Sequence, residues 1–289
     1  MSIKTILVPL SGVASSGGVL TAAMAVGKWL DAHIEVLHVA MDPRDSVAYV
    51  GEGMTSAMIE DVMSVAESEA GERQARAAEQ FREACAKAGV KEADSAASAG
   101  GGFTAHLTTI TGREEDAVAA RGRLADLIVC CKPRQGDDVS PSVTLEAALM
   151  DTGRPVLVVP PGDPAPIGKT VALAWNSSPE AAKAIRFGLA FLHAADRVVV
   201  LEVEEAGKGG PDAAALIDYL AWHGIAASSQ DVTAGAASIG DRLLGAAKAA
   251  EADMLIMGAY TRSRLRRLIF GGATREVLAG ATIPVLMAH

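Results

Sequence analysis

The sequence contains one pattern twice, and this repeat constrains the fold more than any other feature. Near the C-terminus, the run ADMLIMG at 252–258 is followed, after a polar stretch, by IPVLM at 283–287. A fainter copy in mid-chain has ADLIVCC at 125–131 followed by RPVLV at 154–158. A chain of 289 residues has room for two domains of ordinary size. The repeat therefore predicts two similar domains, which we place at residues 1–160 and 168–289.

Apolar and amphipathic segments follow the same order in both halves. Short β-branched runs predict strands, and runs with apolar residues every three or four positions predict helices between them. Strands are predicted at 5–10, 34–39, 104–111, 126–131 and 156–159, and again at 170–175, 197–203, 226–232, 253–257 and 285–287. Near-continuously apolar strands that alternate with helices indicate a parallel sheet covered on both faces. The predicted fold class is α/β, with each domain a five-stranded, doubly wound, Rossmann-like parallel sheet.

Three further segments have distinct signals. A helix is predicted from 179, because Ser178 is placed to cap it and Pro179 suits its first position. A much longer helical region, at 55–88, has no counterpart of equal length in the second half. Four prolines at 160–168 predict a semi-rigid linker between the domains.

The composition limits the class of protein. Hydrophobic residues make up 50% and charged residues 21% of the sequence, as in globular domains. The net charge of -9 disfavours nonspecific binding to nucleic acid or to an anionic membrane. No apolar run is long enough to cross a bilayer, and the first residues lack the pattern of a secretory signal. We therefore expect a cytoplasmic protein without a nucleic-acid or membrane partner.

None of the common catalytic or metal-binding motifs is present. The Gly-Lys-Thr at 168–170 resembles part of a phosphate-binding P-loop, but it leads into a strand and not into a helix N-terminus. The six histidines are scattered, without the spacing of metal ligands. The three cysteines form no even framework, and the adjacent pair at 130–131 is interpreted as apolar filling of a strand. We expect no catalytic residue and no protein-held metal.

The loop after the fourth strand of the second half has the features of a phosphate site. Gly258 ends the strand, Gly271 closes the loop, and residues 272–274 open the next helix. Glycines let backbone amides approach a polyanion, and the helix N-terminus adds free N–H donors and a favourable dipole. Four arginines lie between the glycines, at 262, 264, 266 and 267. They either neutralise phosphate or form a solvated helical face.

Several segments together resemble the universal stress protein family in its tandem form, and the resemblance covers nearly the whole chain. They are ILVP at 6–9, LHV at 37–39, the Ala-Asp strand at 252–257 and PVL at 284–286. The resemblance implies a fold like that of the adenine nucleotide alpha hydrolases. It also implies two domains that pair as a pseudo-dimer through their fifth strands, and a further homodimer. Nucleotide-binding members hold ATP, with adenine near the ends of the first two strands and phosphates over the glycine loop.

Those members carry the motif G-x2-G-x9-G-[S/T] and an Asp at the end of the first strand. In the second half Gly258 and Gly271 match, Thr261 replaces the middle glycine, and Gly272 stands where Ser or Thr is usual. Asn176 replaces the Asp, which keeps an acceptor oxygen but loses the charge. The nucleotide-binding residues implied by the resemblance are Ala174, Asn176, Val203, Met257, Gly258, Thr261, Arg262, Gly271, Gly272, Ala273 and Thr274.

The first half departs further from the family pattern. Ser11 replaces the Asp, and the loop after the fourth strand is three residues shorter. Side chains at the close-approach points would keep the backbone away from phosphates. The residues that stand at the motif positions are Cys131, Arg134, Pro141 and Ser142. We therefore predict that this half binds no nucleotide.

The expected function is a stress-response protein that binds ATP, with Mg²⁺, in the C-terminal domain only. Robust catalysis is not expected; slow ATP hydrolysis is the most that the resemblance implies. One alternative is a nucleotide-free interaction module that acts through dimer surfaces and the helical region 55–88. A minor alternative is an adenylating enzyme, because residues 11–16 partly resemble the pyrophosphate loop of the ATP-pyrophosphatases.

Overall fold

The computed structural model describes residues 2–13, 17–42, 44, 55–133, 141–162, 167–202, 210–232, 235–259 and 272–289. Within these residues helices and strands alternate along the chain. The strands are β1 (Thr5–Pro9), β2 (His33–Ala40), β3 (Lys91–Glu92), β4 (Thr104–Thr111), β5 (Leu127–Cys131), β6 (Val156–Val159), β7 (Thr170–Trp175), β8 (Arg197–Glu202), β9 (Ser228–Asp231), β10 (Met254–Gly258) and β11 (Val285–Ala288). The helices are α1 (Gly17–Leu30), α2 (Ser56–Ala88), α3 (Ala96–Ala99), α4 (Glu114–Gly122), α5 (Pro141–Asp151), α6 (Pro179–Ala194), α7 (Ala213–Trp222), α8 (Ile239–Ala249) and α9 (Gly272–Gly280).

The strands form one continuous sheet in the order β3-β4-β2-β1-β5-β6-β11-β10-β7-β8-β9. Neighbouring strands within each half are parallel, whereas β6 and β11 pair antiparallel, with Leu157 opposite Leu286. The two halves therefore join through their fifth strands, as the resemblance implied. The α/β fold class is confirmed, and β3 is a two-residue addition that the sequence analysis did not predict.

The predicted helix boundaries agree closely with the structure where capping residues define them. The long helix α2 begins after Thr55, whose hydroxyl accepts the N–H of Met58 at 3.4 Å, and it ends at the left-handed Gly89. Helix α6 begins at Pro179, and the Ser178 hydroxyl accepts the N–H of Ala181 at 3.2 Å. Local capping chemistry therefore determines where these two helices start.

The Asp of each repeated Ala-Asp pair has a structural role. Both oxygens of Asp253 accept backbone N–H groups, from Gly168 at 2.9 Å, Lys169 at 3.1 Å and Thr170 at 3.3 Å. In the first half, Asp126 accepts the N–H groups of Lys4 at 2.8 Å and Thr5 at 3.1 Å. Each carboxylate thus fastens the start of a first strand to the start of a fourth strand. This explains why the pair occurs in both copies.

The cores lie on both faces of the sheet, and each face includes residues from both halves. Across the junction the rings of Trp29 on α1 and Phe191 on α6 lie 5.5 Å apart. Cys130 is buried, as predicted for apolar filling, and Cys131 is partly exposed. Burial raises the pKa of the Cys130 thiol, which keeps it protonated. No helix in the described residues is long and apolar enough to span a membrane.

The role of Asp253 can be tested by Asp253→Ala. Loss of a carboxylate that accepts three backbone N–H groups should lower the free energy of unfolding by about 2 kcal/mol, as measured by urea denaturation. Asp218→Ala is the matched control, because Asp218 is exposed on α7, and it should change stability by less than about 0.5 kcal/mol. Equal effects of the two substitutions would contradict the role assigned to Asp253.

Candidate functional site

The carboxyl end of β7 is the point of the second half where the winding of the sheet reverses. Strand β8 lies on one side of β7 and β10 on the other, and both are parallel to it. Ligands of doubly wound sheets bind in the crevice at such a reversal. Because Ile256 pairs with Leu173, the register brings Met257 level with Ala174, and Gly258 level with the end of β7. Ala174, Met257 and Gly258 therefore lie at this edge, and Asn176 follows β7 directly. Gly272 begins the helix that comes after β10 in the chain.

Asn176, the first residue after β7, is partly exposed at this edge. Its Oδ1 accepts the N–H of Ser178 at 3.3 Å, so the oxygen is engaged in the turn that leads into α6. The amide Nδ2 has no hydrogen-bond partner among the described residues. The acceptor oxygen expected at this position is thus already engaged once, and Nδ2 provides a donor beside it.

The segment before α7 is fastened over the end of β7. The carbonyl oxygen of Pro211 accepts two hydrogen bonds, from Trp175 Nε1 at 2.9 Å and from Ser177 Oγ at 2.6 Å. Ser177 has a left-handed backbone, with φ of 58°, and Glu202 accepts the N–H of Ala213 at 2.9 Å. The contacts of Trp175 and Ser177 with Pro211 could not be predicted from the sequence, because each joins residues more than thirty positions apart.

Gly258 is required by packing at this edge. A Cβ at this position would lie 2.5 Å from the backbone nitrogen of Ala181 and 2.7 Å from the backbone carbon of Glu180. The end of β10 therefore rests directly against the first turn of α6, at a distance that only glycine allows. A glycine that matches the phosphate motif thus has a role in the fold that needs no ligand.

Helix α9 presents its N-terminus on the β10 side of the reversal. Gly272 is exposed. If it carried a Cβ, the nearest described side-chain atom would be Glu276 Oε1, at 3.5 Å. Thr274 is buried and Ala273 is partly exposed. The first turn contains no acidic residue, and Glu276 turns towards α8, where it accepts the N–H of Gly240 at 2.9 Å. The amides at a helix N-terminus have no intrahelical acceptor, so this turn is suited to an anion.

The remaining predicted site residues lie outside the described part of the chain. They are Val203, Thr261, Arg262 and Gly271, and the arginines at 264, 266 and 267 lie there as well. Ala174 and Met257 are described; Met257 is buried in the core, and Ala174 is partly exposed and packs against that core. Asn176, directly after β7, and Gly272 and Ala273, at the start of α9, are at least partly exposed.

The corresponding edge of the first half is covered by helix α2. Arg76 Nε donates to the carbonyl oxygen of Gly12 at 3.1 Å, and Gln80 Nε2 donates to that of Val13 at 3.0 Å. A Cβ on Gly12, whose φ is 72°, would collide with the carbonyl oxygen of Arg73. Gly12 and Val13, in the loop after β1, are therefore packed beneath α2, and their carbonyl oxygens accept hydrogen bonds from the helix.

An acidic side chain lies at the first turn of α5 in this half. Thr144 occupies the position equivalent to Thr274, and its hydroxyl donates to Glu114 Oε1 at 2.8 Å. Burial raises the pKa of the Glu114 carboxyl, which is partly offset by this hydrogen bond. A phosphate at this turn would meet a carboxylate or a protonated carboxyl in place of free donors. Among the described residues no group of three or more His, Cys, Asp or Glu side chains could hold a metal ion.

Comparisons with known proteins agree with this architecture. Residues 168–289 match the model of the universal stress protein family. The crystal structure of a universal stress protein from Archaeoglobus fulgidus DSM 4304 superposes with a TM-score of 0.67 at 17% identity, covering 98% of this chain and 95% of that protein. A functionally unknown protein from Pseudomonas aeruginosa PAO1 superposes with a TM-score of 0.59 at 15% identity, covering 99% and 92%.

The search of curated proteins gave no match. The two structural likenesses extend over both halves and show that the fold is shared along the whole chain. The family model is matched by the second half, which contains the repeated pattern in its fuller form. A domain of the universal stress protein family is therefore identified at residues 168–289.

Proposed function

We propose that the C-terminal domain binds an adenine nucleotide, ATP with Mg²⁺, and holds it without robust turnover. One observation carries the proposal: in the domain that matches the family, Asn176 directly follows β7, and α9 is the helix that follows β10, the strand paired with β7 at the reversal. This is the position at which doubly wound sheets bind their ligands. In the described residues of the first half, α2 covers Gly12 and Val13, which follow β1 at the corresponding edge.

The phosphates would lie at the first turn of α9. The amides there have no intrahelical acceptor, the helix dipole favours negative charge, and Gly272 leaves room for close approach. The described residues provide no carboxylate cluster for a metal ion, so Mg²⁺ would be held mainly by the phosphates and water. Arg262 and its neighbours, which follow β10 in sequence, would supply additional positive charge.

The base and ribose would lie at the end of β7. The two hydrogen bonds to the Pro211 carbonyl oxygen fix Pro211 against Trp175 and Ser177 at the end of β7, and contacts fixed before binding lose less freedom when a ligand binds. Asn176 would donate from its Nδ2 to a ring nitrogen or a ribose oxygen. A binding module is favoured over an enzyme, because the described edge contains no nucleophile paired with a base.

The phosphate position can be tested by Gly272→Val. Wild-type protein should gain about 2.7 kcal/mol of stability when MgATP is present at a hundred times its dissociation constant, measured by thermal unfolding. The valine side chain fits the free protein, but it would occupy the phosphate position and should abolish this gain. Ser142→Val, at the equivalent exposed position of α5, is the matched control and should keep the full gain.

Absence of any stabilisation of the wild-type protein at millimolar MgATP would refute nucleotide binding. Equal loss of the gain in both valine variants would refute the assignment of the site to the second half. Release of pyrophosphate from ATP, followed with a coupled assay, would instead favour the adenylating enzyme.

The base position can be tested by Asn176→Asp. A carboxylate keeps one oxygen on the Ser178 N–H and offers the second to the adenine amino group or a ribose hydroxyl. One added hydrogen bond to a charged group should tighten ATP binding about tenfold, as measured by isothermal titration calorimetry. Asn176→Ala, which offers neither group, should bind more weakly than wild type. An unchanged dissociation constant in both variants would place the base elsewhere.

A second candidate function is homodimer formation through α2. The 33-residue helix is buried only at Ala77, Phe81 and Cys85, and no residue from 56 to 76 is buried. Met58 is 51% and Val65 is 59% exposed on this uncovered part. Ion pairs within the helix, such as Arg76 with Glu72 at 3.3 Å, are typical of a solvated surface. An apolar stretch on an otherwise charged, projecting helix is suited to an interface with a second copy.

This candidate predicts that the double variant Met58→Glu, Val65→Glu is monomeric while the wild type is dimeric. Placing charges in an apolar interface opposes association, because each carboxylate must be desolvated. Ala75→Glu, at an exposed position of the same helix, should leave the dimer intact. Molar masses come from sedimentation equilibrium. A monomeric wild-type protein, or a dimeric double variant, would exclude this interface.

A further inference from the structure

Lys132, the residue that follows β5 in the first half, contacts a helix of the second half. Its Nζ donates to the carbonyl oxygens of Ala279 at 2.6 Å and Ala281 at 3.0 Å, at the C-terminal end of α9. Its own backbone N–H is bonded to Val159 at the end of β6, at 2.7 Å. Lys132 is thus fixed by its backbone in the first half, and its ammonium group is bonded to the second half.

The antiparallel pairing of β6 with β11 brings Lys132 close to the C-terminal end of α9. Since β6 and β11 run in opposite directions, the carboxyl end of β5 meets the amino-end edge of the second half. Helix α9 runs from the carboxyl edge back to that amino-end edge, so its last carbonyl groups lie there. These carbonyls carry the negative end of the helix dipole, and the last turn of α9 contains no basic residue of its own.

The residue of the second half that is equivalent to Lys132 makes no such contact with the first half. Ala259 is the equivalent residue of the second half: its N–H bonds to Ala288 at 2.8 Å, as that of Lys132 bonds to Val159. It has no side chain that could reach α5. Carbonyl groups at the end of α5 are bonded within their own half: Arg123 Nε donates to the carbonyl oxygen of Asp151 at 3.3 Å, and Thr152 Oγ1 donates to that of Ala148 at 2.5 Å.

We propose that Lys132 is a positioning residue through which the first half sets the order of α9, and thereby the affinity of the second half for its nucleotide. The consequence for affinity rests on the proposed function; the effect on α9 does not. A helix whose far end is fixed presents its first-turn amides at Gly272 with less conformational freedom to lose on binding. Partial burial lowers the pKa of the Lys132 ammonium, as expected for a charge taken from water into a contact.

The decisive experiment measures amide hydrogen exchange of the nucleotide-free full chain. Lys132→Met should speed exchange in the last turn of α9 and at Ala281 about tenfold, which is about 1.4 kcal/mol of local stability. Exchange at the end of α5 and in the central strands should stay unchanged, since those bonds do not involve Lys132. Lys132→Arg, which retains charge and donors, should restore most of the protection. Lys183→Met removes the same charge from an exposed position and is the matched control.

Nucleotide affinity is then measured on the same variants by calorimetry with MgATP. The dissociation constant should rise about threefold to tenfold in Lys132→Met and recover in Lys132→Arg. Unchanged exchange in α9, or faster exchange throughout both halves, would overturn the positioning role. Faster exchange in α9 with unaltered affinity would overturn the coupling to the site. A wild-type protein that binds no nucleotide would refute the proposed function, and the exchange data alone would then decide whether Lys132 orders α9.

Discussion

The pairing of β6 with β11 is the interaction on which the rest of the structure depends. It turns two parallel sheets into one, and it covers two apolar edges, Val156–Val159 and Val285–Ala288, that would otherwise expose unpaired backbone groups. It also makes both cores continuous across the junction, so that α1 and α6 contact each other through Trp29 and Phe191. Neither half is structurally complete without the other.

Much of this fold could be predicted from the sequence, because strands and capped helices are determined by nearby residues. The strand runs, the start of α6 at Pro179 and the start of α2 after Thr55 all followed from local patterns. The roles of Asp253, Pro211 and Lys132 could not be predicted in this way, because their partners are distant in sequence. The bonded residues are 85 positions apart for Asp253, 36 for Pro211 and 149 for Lys132. The candidate site could be predicted only in part. Its location follows from the sheet topology, whereas the hydrogen bond from the Ser178 N–H to Asn176 Oδ1 depends on the geometry of the turn after β7.

Gly258 shows why a motif alone is an incomplete guide to function. Its match to a phosphate-loop glycine and its close approach to Glu180 and Ala181 are both real, and either is sufficient to require glycine. In the first half, Cys131 stands at the equivalent position and the neighbouring loop lies beneath α2. The two copies therefore differ in how the edge is packed as well as in their glycines, and replacement of a motif glycine need not weaken the fold.

Because β6 and β11 pair antiparallel, the candidate surfaces of the two halves lie at opposite edges of the sheet. The carboxyl edges of the halves point in opposite directions, so the start of α2 and the β7–β10 reversal lie at opposite ends of the sheet. A partner bound at one end and a small molecule bound at the other would not compete for space. Any influence between them would have to travel along the shared sheet or through the few side chains, such as Lys132, that bridge the seam.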